Sequence, residues 1–137
     1  GAVAVTPDAL VAPRSPNRVV DDPFDVALEC SGRADAMEAA LGQLKRTGTL
    51  VLVGAGIVPP QFDPNRILLN ELVITGACTY DDGGFTVALE LLANPAFPRD
   101  LLIEPVDIEL ADLLPTVEQL AAGEIAGKVL VAPGRAS

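Results

Sequence analysis

Apolar residues run almost without interruption from Phe24 to Leu28 and again from Leu50 to Val53, and between these runs they recur at helical spacing. The two runs read as buried strands, because a strand covered on both faces by helices loses its polar alternation. Residues 34–46 read as a helix, with Ala36, Met37, Ala40, Leu41 and Leu44 on one face and Glu38, Gln43 and Lys45 on the other. Thr47 and Gly48 supply the stop, since glycine is favoured just past a helix end. Strand, helix and strand in this order form a right-handed crossover that lays both strands parallel in one sheet.

The same reasoning extends to both sides. GAVAVTP, residues 1–7, reads as a short strand, and the proline-punctuated stretch to Pro23 reads as loop with one helical turn. After the second strand, Asp63-Pro64 opens a short helix over residues 65–70, with proline at its first position. ELVITGACTY, from Glu71 to Tyr80, is a third strand, interrupted at Gly76-Ala77. A helix over residues 85–93 gathers Phe85, Ala88, Leu89 and Leu92 on one face, and Asn94-Pro95 stops it. The remainder predicts a small strand-helix-strand unit: residues 103–108, then a helix over 111–122, then residues 128–132. Leu114, Val117, Leu120 and Ala121 form that helix's apolar face, Pro115 lies in its first turn and Gly123 ends it. The tail from Pro133 is expected to fray. The fold class is α/β.

Composition narrows the function classes. Half of the 137 residues are hydrophobic, yet none of the runs reaches the 18 or so residues that span a bilayer. Nothing at the amino terminus has the form of a signal peptide, so the expectation is a soluble cytoplasmic protein without a membrane partner. The net charge of −10 and the lack of a basic stripe argue against nucleic acid. With no histidine, neither a Ser-His-Asp triad nor a Cys-His pair nor a His-based zinc site can be built. Cys30 and Cys78 sit in apolar runs and are expected to be buried thiols rather than a disulfide or metal pair.

Candidate chemistry concentrates at the carboxyl ends of the first two strands, which read Glu29-Cys30-Ser31-Gly32 and Val53-Gly54-Ala55-Gly56. Ligands of open parallel sheets bind beyond those ends, and small residues let a ligand approach the backbone. The alternative is that the small residues only serve tight strand-to-helix turns. Glu29 could accept hydrogen bonds from ligand hydroxyls, or be a solvated or salt-bridged strand end. Asp81-Asp82 suggests a hard cation weakly and a helix cap more strongly. Lys128, after the flexible run 123–127, could meet an anion or simply lie on the surface.

Four segments, FDVALECSG, LKRTGTLVLVG, NRILLNELVITGACTY and AAGEIAGKVLVAP, resemble in order and spacing the carboxyl-terminal part of the medium-chain dehydrogenase/reductase family. That family includes the zinc-dependent alcohol and polyol dehydrogenases, and the ECSG ending resembles the polyol, threonine and alcohol dehydrogenase branch. The resemblance covers residues 24–133 and implies an oxidoreductase that binds NAD or NADP on a six-stranded Rossmann sheet. Residues 1–78 would be the carboxyl-terminal half of that domain, with residues 1–7 as strand three and ELVITGACTY as strand six, and residues 79–137 a segment of the catalytic domain. The resemblance places adenosine-side contacts on Ser31 and Arg33, and nicotinamide contacts on Val53, Gly54, Ala55, Ala77, Cys78 and Thr79. It makes Glu71 to Tyr80 the expected homodimer strand. The family's GxGxxG turn, ribose-selecting acid, zinc ligands and proton relay have no counterpart in these residues. The expectation is therefore a carboxyl-terminal fragment, inactive alone, with the alternative of a non-catalytic dimerising or nucleotide-binding module.

Overall fold

Phe24–Glu29 forms β1, Ala34–Gly42 forms α1 and Leu44–Leu52 forms β2, and the two strands pair in parallel as the crossover requires. The structure is a computed structural model and describes residues 2–134. Pro64–Asn70 forms α2 and Val73–Gly76 forms β3, which adds in parallel to β2 and gives the order β1-β2-β3. The chain divides into two units, one running to Thr79 and the other starting at Tyr80.

In the first unit Leu41, Leu44, Leu50 and Leu72 form the buried core, and Ala27, Ala40, Leu52, Phe62, Ile67 and Ile74 pack against it. α1 ends at Gly42, four residues before the expected end at Arg46. Leu44, which continues the helical spacing, is buried instead as the first residue of β2, opposite Phe24. The register then jumps, Val26 pairing with Thr49, so residues 45–48 bulge from the strand. Lys45 pairs with Asp25 there and Thr47 takes a positive φ of 62°, so Thr47-Gly48 shapes a bulge rather than a helix stop. The expectation of a fully covered sheet also fails at β1. Ala27 is half-buried, but Phe24, Val26 and Leu28 on the opposite face are at least half exposed.

α2 is capped by Asp63, whose side chain accepts from the Asn65 N–H at 2.9 Å, with Pro64 at the first position. Two side chains one turn apart on α2 then clasp the irregular stretch 13–18. The buried Arg66 guanidinium donates to the carbonyls of Pro13, Ser15 and Arg18, and Asn70 Nδ2 donates to that of Pro16. Arg46, in the bulge of β2, adds a bond to the Asn17 carbonyl at 3.1 Å. A loop whose carbonyls are satisfied in this way keeps a fixed path without regular structure. Residues 2–6 form no strand, because no partner strand lies beside them among the described residues, and Pro7–Ala9 forms a 3₁₀ turn. Gly1, part of that expected strand, lies outside the described residues.

In the second unit Gly84–Ala93 forms α3 and Leu113–Ala122 forms α4, the latter entered through a 3₁₀ turn, Leu110–Asp112. Asp81 and Asp82 do not cap α3 with their side chains; the Asp81 backbone carbonyl accepts the Gly84 N–H instead. The expected apolar faces of α3 and α4 are exposed among the described residues, and the one buried residue of α4 is Thr116, whose hydroxyl donates to the Asp112 carbonyl at 2.7 Å. The expected strands 103–108 and 128–132 reduce to two isolated parallel bridges, Ile103 with Lys128 and Ile108 with Val131. Pro105 has no N–H to donate to a ladder, and the Glu104 side chain takes the Gly127 N–H at 2.9 Å. Gly123 ends α4 as expected, at φ 74°. Of the expected frayed tail, residues 135–137 lie outside the described residues.

Candidate functional site

The carboxyl ends of β1 and β2 meet through backbone rather than side chains. The Glu29 carbonyl accepts the N–H groups of both Val53 and Gly54, at 2.8 and 2.9 Å, which fastens the end of β2 to the end of β1. Gly32 turns the chain with φ 73°, a conformation natural to glycine. A Cβ on Gly32 would fall into the Ala55 backbone, and one on Gly54 or Gly56 would fall into the backbone of the turn around Gly32. These glycines are therefore consumed by the contact of two loops. The reading that small residues serve tight turns holds for this part of the crevice.

The turn itself is organised by Glu29, a buried carboxylate only 4% exposed. Its Oε1 accepts from the Ser31 hydroxyl and from the Ser31 N–H at 2.7 Å, and both carboxylate oxygens accept the Gly32 N–H at 3.1 Å. The Ser31 hydroxyl, and then the Ser31 and Gly32 amides, hold the carboxyl below the usual carboxylate range, against the opposing effect of burial. Neither a solvated end nor a salt bridge describes it. A strand-end Glu followed at two and three residues by Ser-Gly can reach both amides, and its burial makes it do so here. Ser31 Oγ in turn accepts the Arg33 N–H at 3.2 Å.

Arg33 extends beyond this turn and forms a two-pronged pair with Asp35, at 3.1 and 2.7 Å. Arg33 holds the Asp35 carboxyl below its ordinary range. Asp35 also accepts the Ala36 N–H in the first turn of α1, at 3.0 Å. Beside α1 lies a cavity of about 570 Å³ whose polar side chains are Asp8, Ser31, Arg33 and Asp35, the rest of the lining being proline, leucine and alanine. A second, of about 440 Å³, shares Arg33 and Asp35 with the first and is closed by Gly32, Ala34, Ile57 and Val58. Asp8, Asp35 and the arrangement around Glu29 were not among the sequence-predicted site residues.

Of the expected contacts, Ser31, Arg33, Val53, Gly54 and Ala55 come together at the ends of β1 and β2. Ala77 reaches the same end of the sheet, donating to the Leu52 carbonyl at 2.9 Å. Cys78 and Thr79 continue past β3, exposed, and make no hydrogen bond to the crevice among the described residues. Both cysteines are free and exposed, contrary to the expectation of buried thiols. Cys30 follows the last residue of β1, and Cys78 lies beyond the end of the short β3.

The profile of the zinc-binding dehydrogenases matches residues 11–94, more than half of the chain. The chain belongs to the zinc-binding dehydrogenase family. It is 33% identical over 81 residues to a D-xylulose reductase of Saccharomyces cerevisiae, and 35% identical over 75 residues to an uncharacterized zinc-type alcohol dehydrogenase-like protein, YdjL, of Escherichia coli. These matches cover 59% and 55% of this chain but only 22% and 21% of the two relatives, so the matched part spans about a fifth of their length. The crystal structure of 2R,3R-butanediol dehydrogenase from Bacillus subtilis superposes with a TM-score of 0.67 at 27% identity, covering 82% of this chain and 32% of that one. The α/β fold with its parallel three-stranded sheet is accordingly shared with that dehydrogenase. The family's metal does not fit the residues present. Among the described residues no three histidine, cysteine, aspartate or glutamate side chains converge, and the sequence has no histidine. No helix of the described residues is long and apolar enough to cross a membrane.

Proposed function

We propose that this chain is the carboxyl-terminal portion of an NAD(P)-dependent zinc-type alcohol or polyol dehydrogenase and supplies part of its dinucleotide site. The observation that carries this reading is the interlocked end of β1 and β2, where Glu29 fixes the Ser31-Gly32 turn and its carbonyl fixes Val53 and Gly54. Such a backbone-lined edge lies where parallel sheets take their ligands, and membership of the family supports a nicotinamide dinucleotide there. When bound, the nicotinamide exchanges hydride with the alcohol carbon. The chain's own part is positional. Ser31 and Arg33 would meet the adenosine side, and Val53, Gly54, Ala55, Ala77, Cys78 and Thr79 the nicotinamide side, largely through backbone. None of these groups is placed to transfer a proton to substrate, so the 137-residue chain is inactive by itself. Purified chain given NAD or NADP, zinc and a panel of alcohols and polyols should produce no reduced cofactor. Zinc-dependent reduction by the chain alone would refute the proposal.

In the same reading residues 71–80 form a homodimer contact, for which β3 is suited as the open edge of the sheet, with Val73 half exposed. A second reading, a non-catalytic dimerising or nucleotide-binding module, draws on the exposure of Phe24, Val26 and Leu28 along β1. Calorimetry separates the two. Micromolar binding of NAD by the lone chain favours the self-sufficient module, whereas weak binding favours the partial site.

A further inference from the structure

We propose that the open edge of β1 pairs with the same edge of a second copy of the chain, antiparallel, about a two-fold axis at Val26. The pairing is independent of the dinucleotide reading and uses the sheet edge opposite to residues 71–80.

Among the described residues β1 ends the sheet and pairs with β2 alone. The Glu29 carbonyl accepts from Val53, so the backbone of Glu29 faces β2. Bonding direction alternates along a strand. Ala27 therefore also faces β2, and the N–H and carbonyl groups of Val26 and Leu28 face outward. The Leu28 carbonyl is met there by the Cys30 thiol at 3.9 Å, and among the described residues no loop bonds to the Val26 backbone. Phe24, Val26 and Leu28 also carry the exposed apolar side chains of one face of the strand. An unpaired apolar edge is a template for another strand.

The residue pattern of β1 selects the occupant. An antiparallel two-fold pair sets a strand against its own reverse, and directly opposite residues share a face. With the axis at Val26, Phe24 meets Leu28 of the second copy, Val26 meets Val26, and Asp25 meets Ala27. The two Val26 residues then exchange N–H and carbonyl bonds across the axis. An axis at Ala27 would set Asp25 against Glu29, and one at Asp25 would set two aspartates face to face. Like charges directly opposite are destabilising, so charge leaves the Val26 register, in which Asp25 keeps Lys45 as its partner. A six-residue edge is about 20 Å long. It buries less than the roughly 1,600 Å² of a standard interface, which makes the contact weak and transient. Two copies of charge −10 repel, so the contact tightens as salt screens them.

Amide hydrogen exchange of the full chain, followed from micromolar to millimolar concentration, reads this contact residue by residue. The Val26 and Leu28 amides should exchange more slowly as concentration and salt rise, while Ala27 and Glu29, already turned to β2, should not change. Val26→Lys puts like charges on the axis and should remove the concentration dependence. Val26→Pro deletes both axial bonds and should weaken association about thirtyfold, the equivalent of two ordinary hydrogen bonds. An outward N–H makes proline tolerable at this position, and unshifted Leu50 resonances show that each variant is folded. Thr75→Lys, on β3, should leave the dependence in place. Exchange of Val26 and Leu28 that ignores concentration overturns the proposal. So does association that survives both Val26 variants, and if Thr75→Lys abolishes that association, it belongs to residues 71–80 instead.

Discussion

The two units of this chain carry similar amounts of apolar sequence and use it differently. Up to Thr79, Leu50 is fully enclosed and Leu41, Leu44 and Leu72 close around it. From Tyr80 on, Phe85, Leu89, Leu114 and Val117 are exposed, and among the described residues the buried one is Thr116. An amphipathic pattern therefore shows which side of a helix seeks cover, without showing that cover is present. Where α1, β2 and the connection from α2 to β3 bring leucines onto one spot, burial follows. Where the partners are isolated bridges, it does not.

The contrast is most exposed to test at Leu50. Leu50→Ala should lower stability by about 2–5 kcal/mol, while Leu114→Ala should change it by no more than about 0.5 kcal/mol. Urea denaturation combined with amide hydrogen exchange resolves the two units, and comparable losses at both positions would abolish the distinction. Next comes the crevice. Gly54→Ala forces a methyl into the Gly32 turn, and should cost about 1–3 kcal/mol in the first unit while shifting the amide resonances of residues 29–33. An unshifted spectrum would mean the two strand ends do not interlock.

A smaller effect tests local against global order. Asp63→Ala removes the cap of α2 and should cost about 1 kcal/mol, with faster exchange confined to the first unit. The smallest effect is a slope. Glu29 holds its proton less tightly folded than unfolded, as do Asp25 beside Lys45 and Asp35 beside Arg33. Their contribution is thus fully present above the unfolded carboxylate pKa of about 4 and is lost as pH falls through the lower folded values. Glu29→Gln should make the first unit's stability fall less steeply between about pH 5 and 3; an unchanged slope would show that the Ser31-Gly32 turn does not depend on the charge.

Much of this was legible in the residues. The crossover, the Asp63-Pro64 entry to α2, the presence of a third strand within residues 71–80 and the Gly123 exit of α4 all follow from local pattern, because each is decided by groups close in sequence. The early end of α1 was not, since Leu44 suits a helix face and a strand equally and only its place opposite Phe24 decides between them. At the site, the positions of Ser31, Gly54 and Ala55 could be read, but the role of Glu29 could not be separated from that of a solvated strand end. That separation needs its burial, which depends on where β2 ends. Asp8 was invisible for a related reason: nothing in residues 7–9 announces that they will lie beside a helix beginning at residue 34.

The clasp around residues 13–18 has a consequence for the order in which the fold assembles. Arg66 and Asn70 reach partners 48 to 54 positions earlier in the chain, and contacts so distant are entropically expensive until the intervening chain is in place. β1, α1 and β2, once laid down, shorten the loop that the clasp has to close. That entropy sets the clasp among the later contacts of the first unit.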